Sequence, residues 1–283
     1  MNTYKLYAFA DEADKYMDGQ IAAMLRNGLQ GLEVRNVDGT NVSSITLEKA
    51  KEVRQKLDDN GLITWSIGSP IGKMKIDGDW EAHLNKYRHT LEVADILGAK
   101  NIRMFSFFMP KGEDPVTYRQ LVIDRLGQFL EIAKGTGIAL CHENEKGIYG
   151  DIADRCLDIH RQFPELKGIF DPANFVQCAD DTLRGWEMLK EYVYYLHIKD
   201  ALPDSSVVPA GKGVGNVAHI VKDFLARGGQ CMTIEPHLTV FDGLKALENP
   251  DDASVVGQKY SYPTADAAFD AACNALKDIL KEV

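Results

Sequence analysis

The chain has 283 residues, 45% hydrophobic and 26% charged, with 42 acidic against 32 basic side chains and a formal net charge of −10. A chain of this length suits one large domain or two small ones, and it buries roughly three quarters of the surface its unfolded form exposes, so it needs no staple. The acidic excess gives no long-range attraction to phosphate backbones, which argues against nucleic acid as a partner.

Five cysteines (Cys141, Cys156, Cys178, Cys231 and Cys273) are scattered without a CxxC pair. That spacing argues against a disulfide framework or a structural zinc knot. The opening Met1-Asn2-Thr3-Tyr4-Lys5 has no basic-then-apolar pattern, and no run of about 18 apolar residues occurs. The expectation is a cytoplasmic protein with no membrane span.

In chain order, β-like runs fall at 4–9, 31–35, 62–67, 101–107, 138–143, 167–171, 193–198 and 231–235. Helical stripes lie between them. Trp80, Leu84, Tyr87, Leu91 and Ala94 share one face of a helix; Tyr118, Val122, Phe129 and Ala133 do so in the next, and Phe269, Cys273, Leu276 and Leu280 in the last. Asn27-Gly28, Asn60-Gly61, Leu97-Gly98, Gly135 to Gly137 and Gly228-Gly229 supply helix stops just ahead of strands. Eight β-then-helix units make a single (β/α)8 barrel domain over residues 1–283, of class α/β. An open doubly wound sheet would carry a glycine fingerprint after the first strand, and Phe9-Ala10-Asp11-Glu12-Ala13 has none. The segment 238–262 is the one long irregular stretch, expected to cover the mouth or contact a partner.

A barrel places its active site at the C-terminal ends of its strands. Strands five to eight end in Glu143, Asp171, His197 and Glu235. Alternation sends Cys141 inward with Glu143, Ile169 with Asp171, Tyr195 with His197 and Thr233 with Glu235. Taken singly, an acid at a strand end is more often a helix cap or a surface group, and a lone His more often a hydrogen-bonded core residue. Four on consecutive strands favour a shared role. Three carboxylates that close stay ionised only around a cation, and three oxygens with one imidazole suit Mn²⁺, Mg²⁺, Co²⁺ or Zn²⁺.

The chain resembles the sugar phosphate isomerase/epimerase group of xylose-isomerase-like barrels. The likeness runs through Gly68-Ser69-Pro70-Ile71-Gly72-Lys73, Arg103-Met104-Phe105-Ser106-Phe107, Glu143-Asn144-Glu145, Asp171-Pro172-Ala173-Asn174-Phe175, His197-Ile198-Lys199-Asp200, Pro209-Ala210-Gly211-Lys212-Gly213 and Glu235-Pro236-His237-Leu238. The resemblance implies that Glu143, Asp171, His197 and Glu235 bind one divalent metal ion. It implies an isomerase or epimerase of a small sugar, sugar phosphate or sugar acid, with Glu143 and Glu235 moving a proton by way of an enediolate. Relatives that epimerise ketoses often carry a His three residues after the Asp ligand; Asn174 stands there instead, which counts against a ketose 3-epimerase and leaves the metal site intact.

Glu33, Lys73, Arg103, Asn174, Lys199 and His237 are the candidate substrate-binding residues, although the charged ones read equally as intrabarrel or surface salt bridges. Arg35 shares a face with Glu33. Gly211 and Gly213 read either as a phosphate-binding loop or as a plain turn. An inosose-type dehydratase on the same metal site is the nearest alternative function. An endonuclease IV-like hydrolase is disfavoured, because His83, His89, His160 and His219 fall in helical segments and too few histidines remain at strand ends. A non-catalytic sugar-binding barrel would have lost ligands, and all four are present. A homo-oligomer is compatible with the sequence.

Overall fold

Eight parallel strands close into a barrel: β1 (Lys5–Ala8), β2 (Gly31–Val34), β3 (Ile63–Ile67), β4 (Asn101–Met104), β5 (Ala139–Glu143), β6 (Lys167–Phe170), β7 (Val193–Ile198) and β8 (Cys231–Ile234). Each strand pairs with its sequence neighbours, and β8 closes the ring on β1 through Lys5↔Cys231 to Ala8↔Ile234. The computed structural model describes residues 4–240 and 259–283. Of the irregular stretch at 238–262, residues 241–258 lie outside the described residues.

The helices are α1 (Met17–Arg26), α2 (Leu47–Asp59), α3 (Trp80–Leu97), α4 (Arg119–Ala133), α5 (Ala153–Gln162), α6 (Pro172–Gln177), α7 (Thr182–Leu189), α8 (Val217–Ala226) and α9 (Ala265–Lys281). Their apolar stripes face the sheet as the periodicity predicts, with Leu84, Tyr87, Leu91 and Ala94 buried on α3 and Phe269, Cys273 and Leu276 buried on α9. Asp79 caps α3 by accepting from the Ala82 amide, and the helix stops at Gly98 with φ +73°, a left-handed turn that glycine adopts without a Cβ penalty.

Strand parity separates two cores. Cys141, Ile169 and Tyr195 cluster inside the barrel, with Trp65 and Cys231 against them. Leu32, Ile102, Leu140, Leu196, Met232 and Ile234 belong to the larger core between strands and helices. Tyr7 stacks on Trp65 inside the lower barrel with ring centroids 4.7 Å apart. With the lower interior filled by rings, charged groups gather at the other end.

Three departures from the sequence pattern bear on the mouth. The run at 101–107 leaves the barrel after Met104, because its backbone turns to bond the preceding loop. Phe105 N–H donates to Ile71 O at 2.8 Å, Phe107 N–H to Gly72 O at 3.0 Å and Phe108 N–H to Met74 O at 2.8 Å. The loop after β5 joins them, with Met109 N–H donating to Gly147 O at 2.9 Å. A small hairpin, Asn36–Val37 with Thr40–Asn41, turns on Asp38-Gly39, both at positive φ. A second hairpin pairs Asp200–Ala201 with Val207–Val208 beyond β7.

Candidate metal centre

Glu143 is the last residue of β5, Asp171 follows β6, His197 lies near the end of β7 and Glu235 follows β8. All four are buried, and one ligand atom from each lies within 4.8 Å of every other. His197 Nδ1 sits 2.9 Å from Glu143 Oε1 and 3.5 Å from Glu235 Oε2. The other ring nitrogen, Nε2, is 3.1 Å from Glu33 Oε2. One imidazole nitrogen therefore faces the cluster and the other is held from behind.

Asp171 has two jobs because of where α6 begins. Its Oδ1 accepts the Asn174 amide at 3.0 Å and caps α6, whose first residue, Pro172, lacks an amide to satisfy. The backbone is clamped by Asn144, which accepts from Asp171 N–H and donates to Asp171 O, each at 2.9 Å. Capping fixes the carboxylate so that Oδ2 points into the cluster. That atom is buried and has no hydrogen-bond donor among the described residues; Lys199 Nζ lies 2.9 Å away as an ion pair outside hydrogen-bonding angles.

Two arginines pair with the glutamates, and Arg103 Nη1 also lies 3.9 Å from Glu235 Oε1. Arg103 Nη1 is 3.2 Å from Glu143 Oε2, and Arg35 Nη1 is 3.3 Å from Glu235 Oε1. The two guanidinium carbons lie 4.8 and 4.4 Å from the centroid of the Phe9 ring, a cation–π arrangement that gives both an apolar support. Arg35 also bonds Asp11 at 2.9 and 3.0 Å and Glu12 at 2.9 Å. Lys199 Nζ bonds Glu235 Oε2 at 3.0 Å.

Burial and charge pairing set the ionisation. Burial pushes the Asp171 carboxyl up to about 7, against the pull of Lys199 and with help from Glu235 and Glu143. Burial disfavours a charged His197, yet Glu143 and Glu33 overcome it and hold the imidazolium well above its usual range. Burial raises Glu235 less than Lys199 and its histidine neighbours lower it, so it falls well below the usual carboxylate range. Glu12, buried beside Asp11 and Glu235, is pushed up to about 7 despite Arg35.

The donor set fits a divalent ion. Asp11, Glu12, Glu33, Glu143, Asp171 and Glu235 are six buried carboxylates facing Arg35, Arg103, Lys199 and the His197 imidazolium. An additional positive charge offsets part of that excess. An oxygen without a hydrogen-bond donor, two further carboxylates and one oriented imidazole nitrogen suit a borderline or hard divalent ion better than a thiolate-loving one. A second grouping, Glu12, Glu235 and His237, already has the Arg35 guanidinium on two of its members.

The structure brings every expected site residue to this end of the barrel. Glu33 is buried, with one oxygen on His197 and the other accepting from Tyr195 Oη at 2.9 Å. Asn174 Nδ2 donates to Asn144 O at 2.8 Å and reaches Glu143 Oε1 at 3.4 Å. His237, at φ +44°, lies with Nδ1 3.6 Å from Glu235 and donates its backbone N–H to Glu12. Lys73 is one step out, bonded to Glu145 at 2.8 Å above the Phe105 ring. Asp11, Glu12, Asn144, Tyr195 and Phe9 belong to the network without having been singled out for it. The strand-end rule that points to the four candidate ligands extends, in the turn just beyond β1, to Asp11 and Glu12.

The phosphate-loop reading of Gly211 and Gly213 is corrected. Their amides, with those of Gly215 and Ala201, donate to the buried Asp200 carboxylate at 2.9 Å each, so the anion they bind is an internal one.

No curated protein matches the sequence. Among solved structures, the fold is similar to a probable 3-DHS dehydratase, AsbF, from Bacillus anthracis (TM-score 0.72, 16% identity, covering 97% of this chain and 98% of that one). It is similar to an IOLI protein with a binding zinc atom (TM-score 0.72, 14% identity, 98% of each chain). It is also similar to a D-psicose 3-epimerase with D-tagatose from Clostridium cellulolyticum H10 (TM-score 0.71, 14% identity, 98% of each chain). Residues 21–253 match the sequence family described as xylose isomerase-like TIM barrel. The chain, with its closed barrel and a match over most of its length, belongs to that family.

Proposed function

We propose that this chain is a divalent-metal-dependent isomerase or epimerase of a small sugar, sugar phosphate or sugar acid. The observation that carries the reading is the convergence of Glu143, Asp171, His197 and Glu235 within 4.8 Å at the C-terminal end of the barrel. A metal held by these four residues would supply Lewis acidity, polarising a substrate carbonyl and the hydroxyl next to it.

The chain's own residues supply the proton chemistry. Glu143 ends β5 and Glu235 follows β8, with β6 and β7 between those strands, so the two glutamates flank whatever binds between them. One removes the proton from the carbon beside the carbonyl, and the same or the opposite glutamate returns it. The face of return decides between epimerisation and simple exchange; return to the neighbouring carbon gives isomerisation. Arg103 and Arg35 keep the two carboxylates in place as acceptors. Lys199, Asn174 and His237 stand beside these glutamates, where substrate hydroxyls would meet them.

The test is metal analysis followed by incubation in deuterated water with ketoses, aldoses, inososes and their phosphates. Deuterium entering a carbon beside the carbonyl, without loss of water, is the expected result. An absorbing enone with loss of water would replace this reading with a dehydratase on the same site. Three or more metal equivalents per chain would overturn the single-ion centre.

A further inference from the structure

Lys199 makes contacts that a substrate-binding role alone does not explain. Its ammonium bridges two of the four proposed ligands, 2.9 Å from Asp171 Oδ2 and 3.0 Å from Glu235 Oε2. Both carboxylates are buried, and the lysine side chain is itself only 6% exposed. Asp171 Oδ2 meets no other cation and no hydrogen-bond donor among the described residues. The two oxygens offered to a metal are thus already neutralised by a covalently attached cation.

We propose that Lys199 is the internal counter-ion of the ligand tetrad, holding Asp171 and Glu235 together in the metal-free protein and competing with the metal for the same two oxygens. The inference rests on the metal reading proposed above and concerns a step that precedes substrate. Without a cation between them, two buried carboxylates would repel each other and disperse. With Lys199 there, they stay assembled. A divalent ion arriving at Asp171 and Glu235 meets the ammonium at close range, so the two cations cannot share the oxygens without mutual repulsion. Metal loading then loosens Lys199 from its carboxylates, and the ammonium becomes available to an oxygen of the substrate. The two buried arginines are anchored elsewhere. Arg35 stays tied to Asp11 and Glu12, and Arg103 donates to the Gly68 carbonyl, so each keeps a partner outside the tetrad.

Chelator-stripped wild-type protein and the Lys199→Met variant would be titrated with Mn²⁺ by calorimetry and melted with and without the ion. Removing the competing charge should tighten Mn²⁺ binding by about tenfold or more. The metal-free variant should melt at a lower temperature, and its gain on adding Mn²⁺ should exceed that of the wild type. A variant that binds Mn²⁺ no more tightly than a wild type that binds it well overturns this proposal and leaves the metal centre standing. Failure of both proteins to bind any divalent ion overturns the metal centre, and this proposal with it. If Lys199→Met does not fold, lysine Nζ NMR on the wild type decides: a protected ammonium signal in the stripped protein should shift or exchange faster on adding Mg²⁺ or Zn²⁺, and an unchanged signal at saturation refutes the competition.

Discussion

Glu33 Oε2 lies 3.1 Å from His197 Nε2, directly behind the imidazole nitrogen that faces the carboxylate cluster. Glu33 therefore acts through His197. Burial alone would raise its pKa, but His197 and Arg103 outweigh burial and keep it below the usual carboxylate range. An ionised Glu33 holds a proton on Nε2 and so directs the lone pair of Nδ1 toward the cluster once a metal displaces the other proton.

Replacing Glu33 with Gln should therefore weaken divalent-metal binding by about 10–100-fold while leaving the barrel folded. Calorimetric titration with Mn²⁺, beside circular dichroism, reads both. Unchanged affinity would mean that His197 is oriented without Glu33.

Glu143→Gln and Glu235→Gln should each lower solvent exchange into substrate by at least about 100-fold. Both should keep the fold, because Arg103 and Arg35 retain an amide oxygen to bond. Deuterium incorporation followed by NMR measures the loss; an active double variant would remove both glutamates from the proton transfer.

Metal binding should release protons and favour higher pH. Asp171, raised to about 7, contributes stability to the metal-free fold that is fully present below its unfolded pKa near 4 and lost as pH rises through about 7. His197, also raised, has the same sign: its contribution is present below about 6.5 and lost as pH rises through its folded value. Glu33 and Glu235 are lowered, so their contributions are lost only in more acidic solution. The gain in melting temperature on adding metal should then be larger at about pH 8 than at about pH 5.5. A larger gain at the lower pH would contradict this assignment.

Asp200→Ala should destabilise the protein by about 3 kcal/mol, since it strips an acceptor from four backbone amides at once. Urea denaturation checks the figure, and a loss below about 0.5 kcal/mol would show that water replaces the carboxylate at no cost.

The barrel and the tetrad were both legible because two simple rules reinforce each other. Strand alternation fixes which residues point inward, and the C-terminal ends collect the polar ones, so Glu143, Asp171, His197 and Glu235 could be read by position. The network behind them was less legible, for a physical reason. Glu33 is 164 residues from His197 and Arg35 is 200 from Glu235, and no local pattern encodes pairings that depend on closure of the ring. Asp200 misled in a different way. A glycine-rich segment presents amides to an anion, and nothing in 209–215 says that the anion is a carboxylate from the preceding hairpin. The exit of the chain after Met104 was hidden as well, because Phe105-Ser106-Phe107 has the composition of a strand and bonds a loop instead.

That exit ties three loops together by their backbones. Lys75 bridges to Phe108, and Phe108 bridges to Ile148, so the segments after β3, β4 and β5 continue the sheet past its rim. Gly72, at φ +86°, would press a Cβ to within 2.0 Å of the Phe105 carbonyl oxygen, which leaves no slack in the seam. An inserted residue between 105 and 109 would throw all three segments out of step. Descendants of this chain could exchange single side chains along that arc, but changes in loop length, the usual route to a new substrate on a barrel, are confined to the rest of the circumference.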